Sequence, residues 1–87
     1  MYYLYLVKCA DKTLYTGITT DLIRRVKEHN SAKQGAKYTR SRRPVKLVFS
    51  KKFKSRVQAL KIEAGIKQLT RQQKLNLLKT QRLVFKV

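Results

Sequence analysis

Four side chains of this sequence stand out because their types and spacing suit chemistry, and a fifth joins them from further along the chain. They are Tyr5, Tyr15, Arg25, His29 and Glu63. Arg25 and His29 are four residues apart, so on a helix both would project from one side. A carboxylate can bind a hard cation, a guanidinium can grip an anion through a planar fork of donors, and an imidazole can hold or pass a proton near neutral pH.

Simpler interpretations of these residues exist. The two tyrosines could be half-buried aromatic residues of strands, and His29 could cap a helix or complement its dipole. Glu63 could pair with Lys67 at the i, i+4 spacing, which would stabilise the helix by only about 0.3 kcal/mol. Against this, Glu63 has apolar neighbours in the sequence and is one of only four acidic residues.

The other three acidic residues have structural explanations. Asp11 lies in a predicted turn, Asp21 is a suitable helix N-cap, and Glu28 is expected to point outward from its helix. Glu63 alone lacks such an explanation, which makes it the main candidate for a functional carboxylate.

The elements that must position these side chains follow from the apolar pattern. Strands are predicted at 2–9, 13–18 and 45–53, where β-branched and aromatic residues dominate; the first two form a hairpin. Helices are predicted from Asp21 to Asn30, from a Ser55 cap to about Gln68, and from a Thr70 cap to about Thr80. Residues 31–44 are a predicted loop with room for a short helical turn. We therefore expect one α+β domain over 1–87.

The expected inner faces are specific. On the first strand, one face carries Tyr3, Tyr5, Val7 and Cys9, and on the third strand one face carries Val45, Leu47 and Phe49. The helical residues expected to be apolar contacts are Leu22, Ile23 and Val26 on the first helix, Val57, Ala59, Leu60, Ile62, Ala64, Ile66 and Leu69 on the second, and Leu75 and Leu78 on the third.

The net charge of the chain indicates what kind of partner it binds. Twenty-two Lys and Arg against four Asp and Glu give a formal net charge of +18, and such a density usually serves a polyanionic partner. The sequence has no 18-residue apolar run, signal peptide, lipidation signal or basic amphipathic helix with a large apolar face, so a membrane is not expected as a partner. Nucleic acid is the expected partner, in a cytoplasmic protein that could associate with the nucleoid.

Cys9 is the only cysteine. It cannot form an internal disulfide, no disulfide-linked partner is expected, and no cysteine-based metal cluster can form. Its place in an apolar segment predicts a buried, inert thiol. The sequence does not determine an oligomeric state.

The chain resembles a known family at its chemistry-bearing residues. Tyr3-Leu4-Tyr5 and Tyr15-Thr16-Gly17 resemble the two tripeptides that name the GIY-YIG nucleases, and 21–29 resembles the first helix of that family. Glu63 matches the single glutamate that the family carries on a later helix. The likeness covers essentially the whole chain and is strongest to small stand-alone bacterial members. It implies a GIY-YIG fold, a three-stranded antiparallel sheet flanked by helices.

The resemblance also implies catalytic roles. Glu63 would bind one Mg²⁺ or Mn²⁺ ion, and Arg25 would contact the phosphate. Tyr5 or Tyr15 would orient or deprotonate the attacking water, while His29 would position water or a tyrosine hydroxyl. The implied activity is metal-dependent hydrolysis of phosphodiester bonds, in an endonuclease or exonuclease.

Two positions in the tripeptides depart from the family pattern. Tyr3 stands where the first tripeptide has Gly, and Thr16 replaces the Ile of the second; neither change removes a catalytic group. Many members also use a late Asn to support the site, and Asn76 is the candidate by position.

The nucleic acid is expected on the loop at 31–44. Its cations alternate with an aromatic residue that could stack on a base: Lys33, Lys37, Tyr38, Arg40, Arg42 and Arg43. Arg71, Lys74 and Lys79 of the last helix would extend this surface. No base-reading pattern is evident, so selectivity for structure or strand is expected rather than for sequence, with DNA favoured over RNA.

Two alternatives remain open. The chain could be a nucleic-acid-binding module on a nuclease scaffold with little or no activity. It could also be an RNA- or ribosome-associated protein in which the likeness to nucleases misleads.

Overall fold

The computed structural model describes residues 1–31 and 37–81, with the side chain of Lys37 left out. Its strands are β1 (Tyr2–Lys8), β2 (Leu14–Thr19) and β3 (Lys46–Phe53), and its helices are α1 (Leu22–His29), α2 (Lys37–Arg40), α3 (Arg56–Lys67) and α4 (Arg71–Thr80). Residues 82–87 and Lys33, one of the predicted nucleic-acid contacts, lie outside the described residues.

The strands form one antiparallel sheet in the order β2-β1-β3, with β1 in the middle. This confirms the predicted α+β class and the three-stranded antiparallel sheet. Tyr5 pairs with Gly17, and Val7 pairs with Tyr15. The hairpin therefore brings the two tripeptides side by side.

Both faces of β1 are buried because side chains alternate along a strand. On one face, Leu4 and Leu6 pack with the core residues of α3, namely Ala59, Ile62 and Ile66. The opposite face carries a smaller cluster containing Tyr5, Val7, Cys9 and Val45, against which Tyr15, Leu22 and Val26 pack.

The free thiol of Cys9 is only 4% exposed. Burial raises its pKa, opposed by a hydrogen bond with Thr13. A buried, inert thiol was predicted, and the structure confirms its burial.

The predicted face of β3 is wrong, because a β-bulge interrupts the strand. Leu6 pairs with Phe49, whereas the next residue, Val7, pairs with Leu47, so one extra residue lies on β3. A bulge reverses the alternation of side chains beyond it. As a result Val45 joins the smaller cluster, Phe49 joins the larger one, and Leu47 is partly exposed.

Polar caps begin the three longer helices where the sequence predicts. The side chains of Asp21, Ser55 and Thr70 accept hydrogen bonds from the backbone amides three residues later. Thr70 and Gln73 form a complete capping box. These bonds satisfy amides that have no partner within the helix.

The helices bury narrower faces than predicted. Ile23 is 73% exposed and Val57 is 60% exposed, while Leu60 and Leu75 also lie on the surface. Leu77, which was not expected to face inward, is buried. Among the described residues, no helix is long and apolar enough to cross a bilayer.

Candidate active site

Tyr5 lies at the centre of the candidate site. Its side chain is almost fully buried, and its ring crosses over Gly17 on the neighbouring strand. A Cβ on Gly17 would lie 2.5 Å from the Tyr5 hydroxyl oxygen and 2.7 Å from its Cζ. Gly17 does not have a positive φ, so its role is close approach, not the backbone relaxation that a glycine before a helix can provide.

His29 ends α1 and is completely buried. Its Nε2 is 2.7 Å from the hydroxyl oxygen of Tyr5, and its Nδ1 is 2.9 Å from Oγ1 of Thr39 on α2. Burial and the positive charge of Arg25 lower the pKa of His29 to about 4, against a smaller opposing effect of Glu28. The imidazole is therefore neutral at pH 7, with one ring nitrogen as donor and the other as acceptor.

Tyr15 covers His29 from the side of β2. Its ring meets the imidazole edge-on, with centroids 5.2 Å apart, and stacks on Tyr38 with centroids 5.6 Å apart. The guanidinium of Arg42 lies 4.1 Å from the centroid of the Tyr38 ring. Tyr38 and Arg42 therefore already form contacts within the protein, where sequence reasoning expected contacts with nucleic acid.

Arg42 also fixes α2 to the β1–β2 turn. Its Nε donates to the Asp11 carboxylate at 3.0 Å, and its Nη1 donates to the carbonyl of Tyr38 at 2.8 Å. The amide of Ala10 donates to the carbonyl of Arg42 at 2.9 Å. These contacts hold α2, and with it Thr39, beside His29.

Arg25 reaches the same place from α1. Its Nη1 donates to Oε1 of Glu28 at 2.9 Å, and its positive charge acts on Tyr5, whose pKa it lowers against the larger upward effect of burial. About a quarter of the Arg25 side chain, 26%, remains exposed. Glu28 was expected to point outward, but it is half-buried and helps to orient the guanidinium.

Glu63 approaches from α3. Its side chain is only 17% exposed, and it pairs with Lys67 at 3.6 Å, the contact that the simpler interpretation predicted. Its charge also reaches Tyr5. Burial raises the pKa of Tyr5, Arg25 lowers it, and the charges of Tyr15 and Glu63 add smaller upward effects. Glu63 is thus within electrostatic range of the same phenol that contacts His29.

His29 contacts both Tyr5 and Tyr15, and the charges of Arg25 and Glu63 act on Tyr5, so the five residues lie near one another in two layers. Tyr5 and His29 form a buried inner layer with Thr39. Tyr15, Arg25 and Glu63 form an outer layer that keeps some exposure to solvent. An anion that approached this surface would meet the outer layer first.

The donor set fits a hard, largely hydrated cation. Asp11 bonds Thr13 and Arg42, Asp21 caps α1, and Glu28 pairs with arginines. Glu63, whose described ion pair is with the exposed Lys67, is the one carboxylate that binds neither an arginine nor a backbone amide among the described residues, and no cluster of three or more His, Cys, Asp or Glu occurs in that part of the chain. One carboxylate completed by waters and phosphate oxygens is an ordinary arrangement for Mg²⁺.

Two open cavities of the described structure have basic walls. One of ≈ 430 Å³ is lined by Asn30, Arg40, Ser41, Arg43 and Pro44. A second, of ≈ 200 Å³, is lined by Thr13, Leu14, Tyr38, Arg71 and Lys74. The backbone of Lys37 begins α2, while Lys33 lies in the part of the chain that the structure does not describe.

Comparison with known proteins decides the family. The model of the GIY-YIG catalytic domain matches residues 1–76. This chain belongs to the GIY-YIG family. Membership places it among nuclease-type catalytic domains, whose members generally depend on a metal ion and act on nucleic acid.

Two relatives support the assignment. A UPF0213 protein of Desulfotalea psychrophila is 54% identical over 78 residues, which is 90% of this chain and 71% of the relative. A UPF0213 protein of Streptococcus agalactiae is 54% identical over 77 residues, 88% of this chain and 86% of the relative.

Two solution NMR structures share the GIY-YIG fold of this chain. A UPF0213 protein from Bacillus halodurans has a TM-score of 0.61 at 44% identity, covering 92% of this chain and 85% of the other. A protein from E. faecalis has a TM-score of 0.64 at 45% identity, covering 99% of this chain and 91% of the other.

Sequence reasoning missed two residues of this GIY-YIG site. Thr39 contacts His29, and no local signal identifies it, because Tyr38 and Ser41 carry hydroxyls in the same loop. Glu28 holds Arg25, and its spacing of three residues is itself a helical contact distance. Asn76, the candidate for the late family Asn, is exposed on α4, where its side chain accepts a hydrogen bond from Gln72 at 3.3 Å.

Proposed function

We propose that this GIY-YIG protein hydrolyses phosphodiester bonds in nucleic acid, with DNA favoured over RNA, using one Mg²⁺ or Mn²⁺ ion. The observation that carries the proposal is the outer layer, in which a guanidinium, a phenol and a carboxylate lie around one buried Tyr–His pair. Cleavage is selective for structure or strand, because the basic surface contacts the backbone and offers no base-reading pattern.

Arg25 binds the phosphate that is attacked. Glu28 already holds its guanidinium, so little side-chain entropy is lost when the fork meets phosphate oxygens. A cation fixed in advance also stabilises the charge that develops during cleavage.

Tyr15 orients the attacking water. It is the partly exposed tyrosine of the pair, whereas Tyr5 is 1% exposed. A phenol oxygen can accept a hydrogen bond from water without being ionised. Contact with His29 and Tyr38 fixes the Tyr15 ring on two sides, so its hydroxyl can hold a water molecule in one direction.

Glu63 would hold the metal ion, which when bound supplies positive charge at the phosphate and lowers the pKa of coordinated water. The carboxylate is well placed for this because its only described ion pair is with Lys67, whose side chain is 55% exposed. Such an exposed pair is weak and can be exchanged for a cation at little cost.

The substrate backbone runs along the two basic cavities. Arg40 and Arg43 line one, and Arg71 and Lys74 line the other. Tyr38 borders the second cavity and touches Tyr15, so that cavity is continuous with the outer layer. Lys33 and Lys37 are proposed to add phosphate contacts.

Replacing the carboxylate tests the proposal. Glu63→Gln keeps the shape of the side chain but removes its charge, so we expect cleavage of plasmid and branched or single-stranded oligonucleotides in Mg²⁺ to fall on the order of 100-fold or more. Lys67→Gln is the matched control, because it breaks the same ion pair and leaves the carboxylate in place. Equal cleavage by wild type and Glu63→Gln would refute the metal role of Glu63.

A second candidate function is binding without turnover. The exposed position of Asn76, bonded to Gln72 on its own helix, favours this alternative, since it leaves the outer layer without the amide that many members use. Tight binding that EDTA does not change, with no cleavage of any DNA or RNA tested, would favour a binding module over a nuclease.

A further inference from the structure

Thr39 stands behind the site in a position that no functional assignment covers. It lies on the four-residue helix α2, is completely buried, and places its Oγ1 2.9 Å from Nδ1 of His29. The other ring nitrogen of His29 is 2.7 Å from the Tyr5 hydroxyl oxygen. Thr39, His29 and Tyr5 thus form a continuous chain of hydrogen bonds, and the Tyr5 end of the chain lies within range of the positive charge of Arg25.

The direction of these hydrogen bonds follows from Arg25. A guanidinium is positively charged and has donors only, so the lone pairs of the Tyr5 oxygen, and not its hydrogen, are turned toward Arg25. The single phenol hydrogen is then directed to the remaining partner, Nε2 of His29. A neutral imidazole that accepts at Nε2 carries its proton on Nδ1, and that N–H donates to Oγ1 of Thr39.

We propose that Thr39 is a positioning residue that holds His29 as the Nδ1–H tautomer, so that the lone pairs of the Tyr5 oxygen stay turned toward Arg25. The partner of the second ring nitrogen generally decides which tautomer a buried histidine adopts. Here that partner is a neutral hydroxyl, which accepts the Nδ1 proton without adding a charge to the buried layer.

The opposite tautomer would disturb the outer layer. An Nε2–H group would donate to the Tyr5 oxygen, and the phenol hydrogen would then turn toward Arg25. The phenol hydrogen and the guanidinium donors would then face each other, and their repulsion would move Arg25 from its position. The consequence for cleavage rests on the proposed function, in which Arg25 meets the phosphate.

Nuclear magnetic resonance tests the tautomer directly. His29 is the only histidine of the chain, so its ring nitrogens can be observed without ambiguity, and the ¹⁵N shift of each nitrogen reports whether it is protonated. We expect the Nδ1–H form in wild type and in Thr39→Ser, and a change toward Nε2–H in Thr39→Val. An Nε2–H form in wild type, or an unchanged tautomer in Thr39→Val, would overturn the inference.

Activity gives a second measurement. We expect Thr39→Val to lower kcat on the order of 10- to 100-fold with little change in KM, because many other cations hold the substrate. Thr39→Ser should recover most of the rate. Thr16→Val, which alters another buried threonine on β2, controls for loss of stability, and an equal fall in its kcat would contradict a positioning role.

The two measurements separate the two ideas. If wild type cleaves no substrate but the tautomer changes in Thr39→Val as expected, the proposed function fails and the assignment of the proton stands. If wild type cleaves and Thr39→Val keeps both tautomer and rate, the nuclease stands and Thr39 has no positioning role.

Discussion

Burial decides what His29 can do in this site. Its pKa is lowered to about 4, whereas burial raises that of Tyr5 above the usual value near 10. Both shifts oppose transfer of the phenol proton to the imidazole, because burial disfavours the charged form of each group. His29 in the resting protein directs the hydroxyl of Tyr5 and is not its base.

Gly17 is the residue that makes room for that arrangement. In Gly17→Ala the new methyl group would meet the Tyr5 ring and hydroxyl, and this buried ring cannot easily move aside because His29 holds its hydroxyl. We expect a loss of roughly 1–3 kcal/mol in the free energy of unfolding, measured by urea denaturation, together with weaker cleavage.

A matched pair of variants separates packing from chemistry at Gly17. Tyr5→Phe with Gly17→Ala removes the hydroxyl that lies closest to the new methyl group, so the double variant should lose less stability than the two single losses added together. Strict additivity would show that Gly17 and Tyr5 do not compete for the same space.

At the scale of elements, α1 is held by its last residue. His29 connects α1 to β1 through Tyr5 and to α2 through Thr39, and Tyr15 covers its ring from β2. A proton added to His29 would place a second positive charge near Arg25, and the negative charge of Glu28 would offset this repulsion in part. The junction of four elements therefore depends on a neutral imidazole.

Acid should loosen this junction. The pKa of His29 in the folded protein, about 4, lies below its ordinary value of 6.5, so the folded protein binds fewer protons than the unfolded chain. The free energy of unfolding therefore falls as the pH falls from about 6.5 to about 4. The loss attributable to His29 is roughly 3 kcal/mol across that window. Urea denaturation at several pH values measures it, and His29→Gln should remove most of the slope.

Direct titration provides an independent check of the same prediction. The ring resonances of the single histidine should report a pKa near 4 in the folded protein. A folded-state pKa close to 6.5 would mean that His29 is solvated, and the expected acid sensitivity would then not arise from this residue.

The elements that sequence could predict are those with local causes. Asp21, Ser55 and Thr70 bond amides three residues away, so their chemistry identifies helix starts without knowledge of the fold. The exposed side chains of Ile23 and Val57 show the limit, since apolar character does not reveal which helix face the small domain can cover. The bulge beside Val48 and the contact of Thr39 with His29 arise from tertiary pairing, which no local pattern contains.

At the scale of the whole molecule, charge should control affinity. With a net charge of +18, the protein should bind nucleic acid mainly through phosphate contacts that release counterions. If about five cations contact phosphates, affinity should fall roughly 10²- to 10³-fold between about 50 and 200 mM salt. Fluorescence anisotropy with labelled oligonucleotides measures this slope, and a flat response would contradict the proposed surface.

A charge-matched comparison locates the surface. Replacing Arg40 and Arg43 together with Gln should reduce the salt slope by about 2, because both line one of the two cavities with basic walls. Replacing Lys52 and Lys54 with Gln removes the same charge at the end of β3. An equal reduction in both double variants would mean that the cations act only through net charge.

The alternation along β1 joins scaffold and chemistry in a single strand. Leu4 and Leu6 face the helical core, while Tyr5 and Val7 face the opposite cluster. Because the period of a strand is two residues, inserting or deleting one residue within β1 would exchange the two sets. A leucine would then lie where His29 contacts a phenol, and a tyrosine hydroxyl would be buried in the hydrophobic core beside α3. A change of register in β1 would therefore disrupt both the geometry of the candidate site and the packing of the core.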